Sequence, residues 1–196
     1  MSETKSFASD SKTFAQRLQD SWYQPASKRF YYLQPLSWLF GLISRVRRKA
    51  YELELFYTWK ASVPVIVVGN INVGGSGKTP IVIALIEKLR AAGYRSGVIS
   101  RGYGGKAQSY PLAVTENTSP EISGDEPALI AQRCHVPVVV DPDRVTAARF
   151  LLSSFDCDVI ISDDGLQHYA LQRDIEIVVI DGVRGIGNGE LLPTGP

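Results

Sequence analysis

Gly69-Asn70-Ile71-Asn72-Val73-Gly74-Gly75-Ser76-Gly77-Lys78-Thr79 follows the apolar run Val65 to Val68 and opens a segment, Lys78 to Ala92, with helical periodicity. Strand, glycine-rich turn and helix in that order are the local plan of a phosphate-binding loop. The glycines let the backbone curl so that successive N–H groups, from Asn72 and Val73 through Gly74, Gly75, Ser76 and Gly77, point at phosphate oxygens. Lys78 reaches the β- and γ-phosphates, and the Thr79 hydroxyl is placed to hold Mg²⁺. The strict pattern GxxxxGK(S/T) requires glycine where Asn72 stands, and the strand, glycine cluster, Lys-Thr pair and helix outweigh that departure. The competing account is a glycine-rich turn whose lysine is merely solvated.

Working outward, further short β-branched runs alternate with helical segments. Strands are predicted at Gly97 to Ser100, Leu112 to Thr115, Val136 to Val140, Val159 to Ser162 and Ile175 to Ile180, with helices at Asp125 to Arg133 and Asp143 to Phe155. Continuous apolar strands with helical crossovers predict an α/β fold with a mostly parallel sheet covered on both faces. In such a sheet ligands bind at the C-terminal strand tips. Asp163 and Asp164 follow one predicted strand and precede Gly165, so they are the expected metal carboxylates; the plainer reading is a turn-forming Asp-Asp-Gly. Ser100-Arg101-Gly102-Tyr103-Gly104-Gly105 ends another, and Arg101 is a phosphate contact unless the loop is only a flexible surface turn.

In Gly124-Asp125-Glu126-Pro127, Asp125 reads first as a helix cap, although a carboxylate at that edge could also deprotonate an attacking hydroxyl. Asp143 reads as an N-cap and Arg144 as a surface charge, both weak site candidates. Asp158 reads as structural and Asp156 as a solvated turn residue. His168 could contact the substrate or the aspartates, though a lone histidine is more often structural, and His135 is given only the structural reading. Two histidines and no paired cysteines supply no zinc site.

The 196 residues carry 21 Lys and Arg against 20 Asp and Glu, so no chain-wide basic excess argues for nucleic acid. The near balance hides an asymmetry: residues 1 to 60 hold 10 basic and 5 acidic side chains, the remainder 11 and 15. In the basic part, residues 1 to about 20 are expected to be poorly ordered or loosely helical. Trp22, Tyr23, Phe30, Tyr31 and Tyr32 then precede a helix predicted from Pro35 to about Tyr57. On it Trp38, Leu39, Leu42, Val46, Leu53 and Tyr57 share one side, with Arg45, Arg47 and Arg48 away from the stripe's centre. The apolar run Trp38 to Ile43 is too short to span a bilayer, which needs roughly 20 residues. An interfacial helix on anionic headgroups is the expectation, against an ordinary helix packed on the domain. The domain division is accordingly drawn near residue 60, with 1–60 as tail and membrane-facing helix and 61–196 as the nucleotide-binding domain. Cys134 and Cys157 form no CxxC pair and no cleavable leader precedes them, so a reducing cytosolic compartment is expected. The glycine- and proline-rich end after Asp181 has no closing element, and a truncated chain is expected.

Taken together, GNINVGGSGKTP at 69 to 80, SRGYGG at 100 to 105, GDEP at 124 to 127, DPDR at 141 to 144, DDGLQH at 163 to 168 and the terminal LLPTGP resemble the tetraacyldisaccharide 4'-kinase family of lipid A biosynthesis. The resemblance spans about residues 30 to 196 and implies a P-loop kinase fold. It implies ATP and Mg²⁺, an acylated glucosamine disaccharide 1-phosphate acceptor phosphorylated at its 4'-hydroxyl, and a place on the cytoplasmic face of the bacterial inner membrane. It raises Asp125 from cap to catalytic base, supports Asp163 and Asp164 near Mg²⁺, and implies a further, smaller α/β lobe. The rival is a membrane-associated regulatory ATPase of the partitioning or maturation type, against which Val73 counts, because such proteins usually place lysine there. A soluble small-molecule kinase is a second rival.

Overall fold

The computed structural model describes residues 13–23, 30–72 and 77–196. Packing divides the chain into two units, residues 1–44 with 184–196, and residues 45–183. This division falls inside a helix, at Ser44/Arg45, and the terminal segment joins the first unit.

In the first unit, α1 (Phe14–Trp22) starts with a reciprocal cap: the Thr13 hydroxyl accepts from Gln16 N at 3.3 Å and the Gln16 side chain accepts from Thr13 N at 2.8 Å. A single 3₁₀ turn (Tyr31–Leu33) leads into α2 (Gln34–Glu52). The buried side of α2 is small: Ser37 bonds Leu191 O at 3.0 Å and the Thr194 hydroxyl at 2.8 Å, and one turn on, Gly41 lies where a Cβ would meet Leu191 at 2.8 Å. Trp22 Nε1 donates to Pro193 O at 2.9 Å. Large apolar residues on α2 point outward instead; Trp38 is 69% exposed, and Leu39, Leu42, Ile43 and Val46 are exposed too.

α2 ends at Glu52, earlier than the periodicity suggests, because Glu54 adopts φ 57° while Glu54 N bonds Tyr51 O and Leu55 N bonds Ala50 O. This left-handed closure satisfies the last carbonyls and turns the chain away.

The second unit is a six-stranded sheet, β1 (Val65–Gly69), β2 (Ser96–Ser100), β3 (Leu112–Val114), β4 (Val138–Val140), β5 (Val159–Asp163) and β6 (Ile175–Val178), in the order β3-β4-β2-β5-β1-β6. All neighbours are parallel except β3 with β4. β4 starts later than its apolar run because Pro137 has no N–H to give; its carbonyl accepts from Val98 N. β1, β2, β4 and β5 are wholly buried. On one face Val68, Val98 and Ile161 pack with Val82 and Ile86 of α3 (Lys78–Ala91) and Ile130 of α5 (Asp125–Cys134). A four-residue helix, α4 (Pro120–Ser123), precedes α5. On the other face Val67, Ile99 and Val139 pack with Ala147, Ala148 and Leu151 of α6 (Arg144–Ser154). β6 is the exception: it lies at the sheet edge and Ile175 and Val178 are exposed.

Candidate functional site

The pairing of β1 with β5 sets Val68 beside Asp163, so the end of one strand lies next to the two aspartates at the tip of the other. Val73, Gly74, Gly75 and Ser76 lie outside the described residues. Of the flanking loop residues, Gly77 has φ 74°, a left-handed turn that glycine adopts freely, and Lys78 is the first residue of α3. The Lys78 side chain is 12% exposed, and its ammonium donates to Asn70 Oδ1 at 3.0 Å and Asp164 Oδ1 at 2.7 Å. Asn70 in turn donates to Asn72 O at 2.6 Å, which ties the loop's start to its lysine. Thr79 follows, half-buried, on the same first turn.

Asp163 is completely buried and neither carboxylate oxygen has a hydrogen-bond partner. Burial first, then the charge of Glu126, push its carboxyl up to about 7, against the pull of Lys78 and Arg144. A buried carboxylate without a donor is the arrangement that a bound cation completes. Among the described residues no three His, Cys, Asp or Glu gather to make a protein-only metal cage. The donor set therefore suits Mg²⁺, which is held by one or two carboxylates with phosphate oxygens and water. Asp164 is exposed and has φ 55°, a strained backbone for a non-glycine residue.

The sequence reading of Arg144 as a surface charge is overturned. It is 1% exposed and bridges the tips of β4 and β5, donating to Asp141 O at 3.0 Å and, at a long 3.4 Å, toward Asp163 O and Asp164 O. Burial lowers its pKa to about 10, with Asp163 and Asp164 acting the other way. Nothing in the local pattern reveals this, since a residue just after a helix cap is ordinarily solvated. Asp143 is the N-cap expected, accepting from Val145 N at 2.9 Å and the Thr146 hydroxyl at 2.8 Å.

Asp125 is not a cap. Gly124 occupies the cap position with φ 92° and no side-chain bond, and Asp125 is the first, exposed residue of α5. What fixes that loop is the close approach of its backbone to neighbouring backbone and to the Val140 side chain. A Cβ on Gly124 would meet Tyr103 O at 2.7 Å, one on Gly105 would meet Ile122 O at 2.6 Å, and one on Gly102 would meet Val140 Cγ1 at 2.3 Å. The glycines of the 102–105 loop are thus fitted to the segment that presents Asp125. Glu126, which the sequence reading passed over, is the residue of this motif whose charge Asp163 feels.

Arg101 is exposed at the end of β2, and its charge reaches Arg144 and His168. His168 is half-buried; burial and then the charges of Arg144, Arg101 and Arg47 depress its pKa to about 4, so its ring is neutral near pH 7. Asp158 is structural as expected. Arg95 donates to it from N, Nε and NH2 at 2.9, 3.0 and 2.7 Å, which holds its carboxyl down at about 2, and Arg95 also pairs with Asp156. Asp156 is the solvated residue anticipated, 80% exposed at its side chain, with Arg95 as a surface partner. His135 accounts for itself locally, closing α5 at φ 51° and facing Glu116 at 2.5 Å.

The family described as tetraacyldisaccharide-1-P 4'-kinase, LpxK, matches residues 29–196. Among curated proteins, the tetraacyldisaccharide 4'-kinases of Actinobacillus succinogenes and Haemophilus influenzae are 58% and 55% identical over 89% of this chain. The matched region is 54% and 52% of those proteins, so the chain spans about half their length. A crystal structure of LpxK from Aquifex aeolicus in complex with ATP superposes with a TM-score of 0.74 at 37% identity, over 84% of this chain and 52% of that one. With the family model covering residues 29–196 and relatives 55–58% identical, the chain belongs to the tetraacyldisaccharide-1-P 4'-kinase family.

Proposed function

We propose that this chain carries the nucleotide-binding half of an ATP-dependent kinase that transfers the γ-phosphoryl group to the 4'-hydroxyl of tetraacyldisaccharide 1-phosphate. The observation that carries the reading is the Lys78–Asp164 contact beside the buried, unpartnered carboxylate of Asp163. Lys78 and the loop amides neutralise the transferring group, and the residues from Asn72 to Thr79 with Arg101 cradle the nucleotide. Thr79, Asp163 and Asp164 would hold Mg²⁺, which when bound neutralises charge on the β- and γ-phosphates. Asp125, at the head of α5 on the same edge of the sheet, accepts the proton of the attacking hydroxyl.

Lys78 leaves Asp164 as phosphate arrives, which frees both groups for their roles. Catalysis here rests on positioning and electrostatics, because phosphoryl transfer asks little covalent chemistry of the protein. The test is incubation with labelled ATP and the glycolipid: label on the 4'-position supports the kinase. Hydrolysis of ATP without labelled lipid supports the regulatory ATPase, and so removes the proposal.

The acylated acceptor implies work at an anionic membrane surface, the cytoplasmic face of the bacterial inner membrane. Support comes from α2, whose large apolar residues face outward next to Arg45, Arg47, Arg48 and Lys49. No helix among the described residues is long and apolar enough to cross a membrane. Sedimentation with anionic vesicles tests this placement, and a chain that stays in the supernatant argues for a soluble small-molecule kinase.

A further inference from the structure

The strained backbone of Asp164 needs an explanation, since a non-glycine residue stays at φ 55° only when its surroundings over-determine it. The turn that follows is fixed at three points. Gly165 sits where a Cβ would come within 2.3 Å of Ser162 Oγ and 3.1 Å of Val67. Leu166 lies over Gly69, the last residue of β1, so closely that a Cβ there would be 2.6 Å from Leu166 Cγ. His168 N closes the turn on Gly165 O at 3.0 Å.

A fourth fixture comes from outside the turn. Arg173, 12% exposed at its side chain, donates to Leu166 O at 3.0 Å and to His168 O at 2.7 Å. It is itself held by Glu176 of β6 at 2.9 Å and by the Tyr169 ring, 5.3 Å from its guanidinium carbon. Because Arg173 spans two carbonyls two residues apart, it fixes the spacing of the turn as well as its location. The residue just ahead of that turn is Asp164, and the one before it is Asp163.

We propose that Arg173 is a positioning residue for the metal carboxylates: by clamping the Leu166 and His168 carbonyls it holds Asp164 in its left-handed conformation and keeps Leu166 seated on the strand that feeds the phosphate loop. Arg173 touches neither nucleotide nor metal; it acts through the turn. A lysine at 173 keeps the charge but lacks the planar fork that meets both carbonyls at a fixed spacing.

The inference rests on the reading of Asp163 and Asp164 as Mg²⁺ ligands. It is tested in the native gene product by the Mg²⁺ midpoint for binding of a fluorescent ATP analogue, with transfer to the glycolipid measured beside it. Arg173→Met is expected to raise the midpoint about 10-fold or more, as loss of a group that orients a metal ligand does. Metal-free binding of the analogue should be little changed, and Arg173→Lys should fall between. Glu176→Gln, on the exposed edge strand, removes only the anchor and should move the midpoint the same way by less.

A folded Arg173→Met protein with the parent's midpoint overturns the proposal. If that variant does not fold, an unchanged midpoint in Glu176→Gln overturns it instead. Failure of the underlying reading looks different: the parent protein then shows no Mg²⁺ dependence of nucleotide binding.

Discussion

On the proposed function Lys78 and Asp163 carry most of the chemistry, and they respond differently to substitution. Lys78→Ala removes the charge facing the transferring phosphoryl group and is expected to slow glycolipid phosphorylation by about 10²–10³-fold, as loss of one stabilising donor does; label incorporation checks it. Asp163 carries a pH dependence of stability. Its folded pKa of about 7 lies above its ordinary 3.8, so between those values the native state holds the proton and the unfolded state does not. Stability without nucleotide or metal therefore falls as pH rises from about 4 to about 7 and stays low above. Asp163→Asn should flatten that fall and stabilise the free protein at pH 8 by an order of 2–4 kcal/mol while abolishing transfer. Thermal melts across pH measure the first effect and the kinase assay the second. The placement of Lys78 and Thr79 at a helix start and of Asp163 and Asp164 at a strand tip is legible because loop spacing and strand tips are local signals, while their roles are proposed. Arg144, Glu126 and Arg173 were not legible, since their significance comes from burial, charge and contacts between segments distant in sequence.

Elements were read correctly where periodicity decided them and missed where a single residue's backbone did. β1, β2, β5, α3 and α6 lie within a residue or two of their predicted ranges, because buried parallel strands and covering helices write their burial into an apolar run. α2 was overextended because Leu53 and Tyr57 continue its apolar stripe, while the left-handed Glu54 that ends it has no sequence signature. Replacing Glu54 with glycine relieves that conformation and is expected to raise stability by about 0.5–1 kcal/mol, seen as a higher melting temperature. The loop 102–105 should behave in the opposite sense. Gly102→Ala puts a methyl against Val140 and strains φ 70°, so the segment presenting Asp125 shifts. The expected result is destabilisation of about 1–3 kcal/mol and a larger loss of transfer than of nucleotide binding, read by melting and by parallel binding and kinase assays.

At the scale of the molecule, the basic front and mildly acidic remainder are visible by counting. Residues 184–196 group with the N-terminal segment through Trp22, Ser37 and Gly41, contacts 150 to 171 positions apart in sequence that no local pattern encodes. Exchanging Trp38, Leu42 and Val46 for serine should release the chain from anionic vesicles while leaving the melting temperature within a few degrees, since these side chains are already exposed. Arg45→Gln with Arg48→Gln should weaken vesicle binding by about 1 kcal/mol per charge, and the loss should shrink in high salt. Co-sedimentation at two ionic strengths measures both.

Ser37 and Gly41 give α2 an inner seat made almost without side chains. Such a seat is indifferent to what the helix wears on its far flank, so the greasy exterior can drift among leucine, isoleucine and phenylalanine without repacking anything beneath. Adhesion to a given bilayer and integrity of the fold are thereby decoupled, and relatives living with different lipids could retune the first while leaving the second alone.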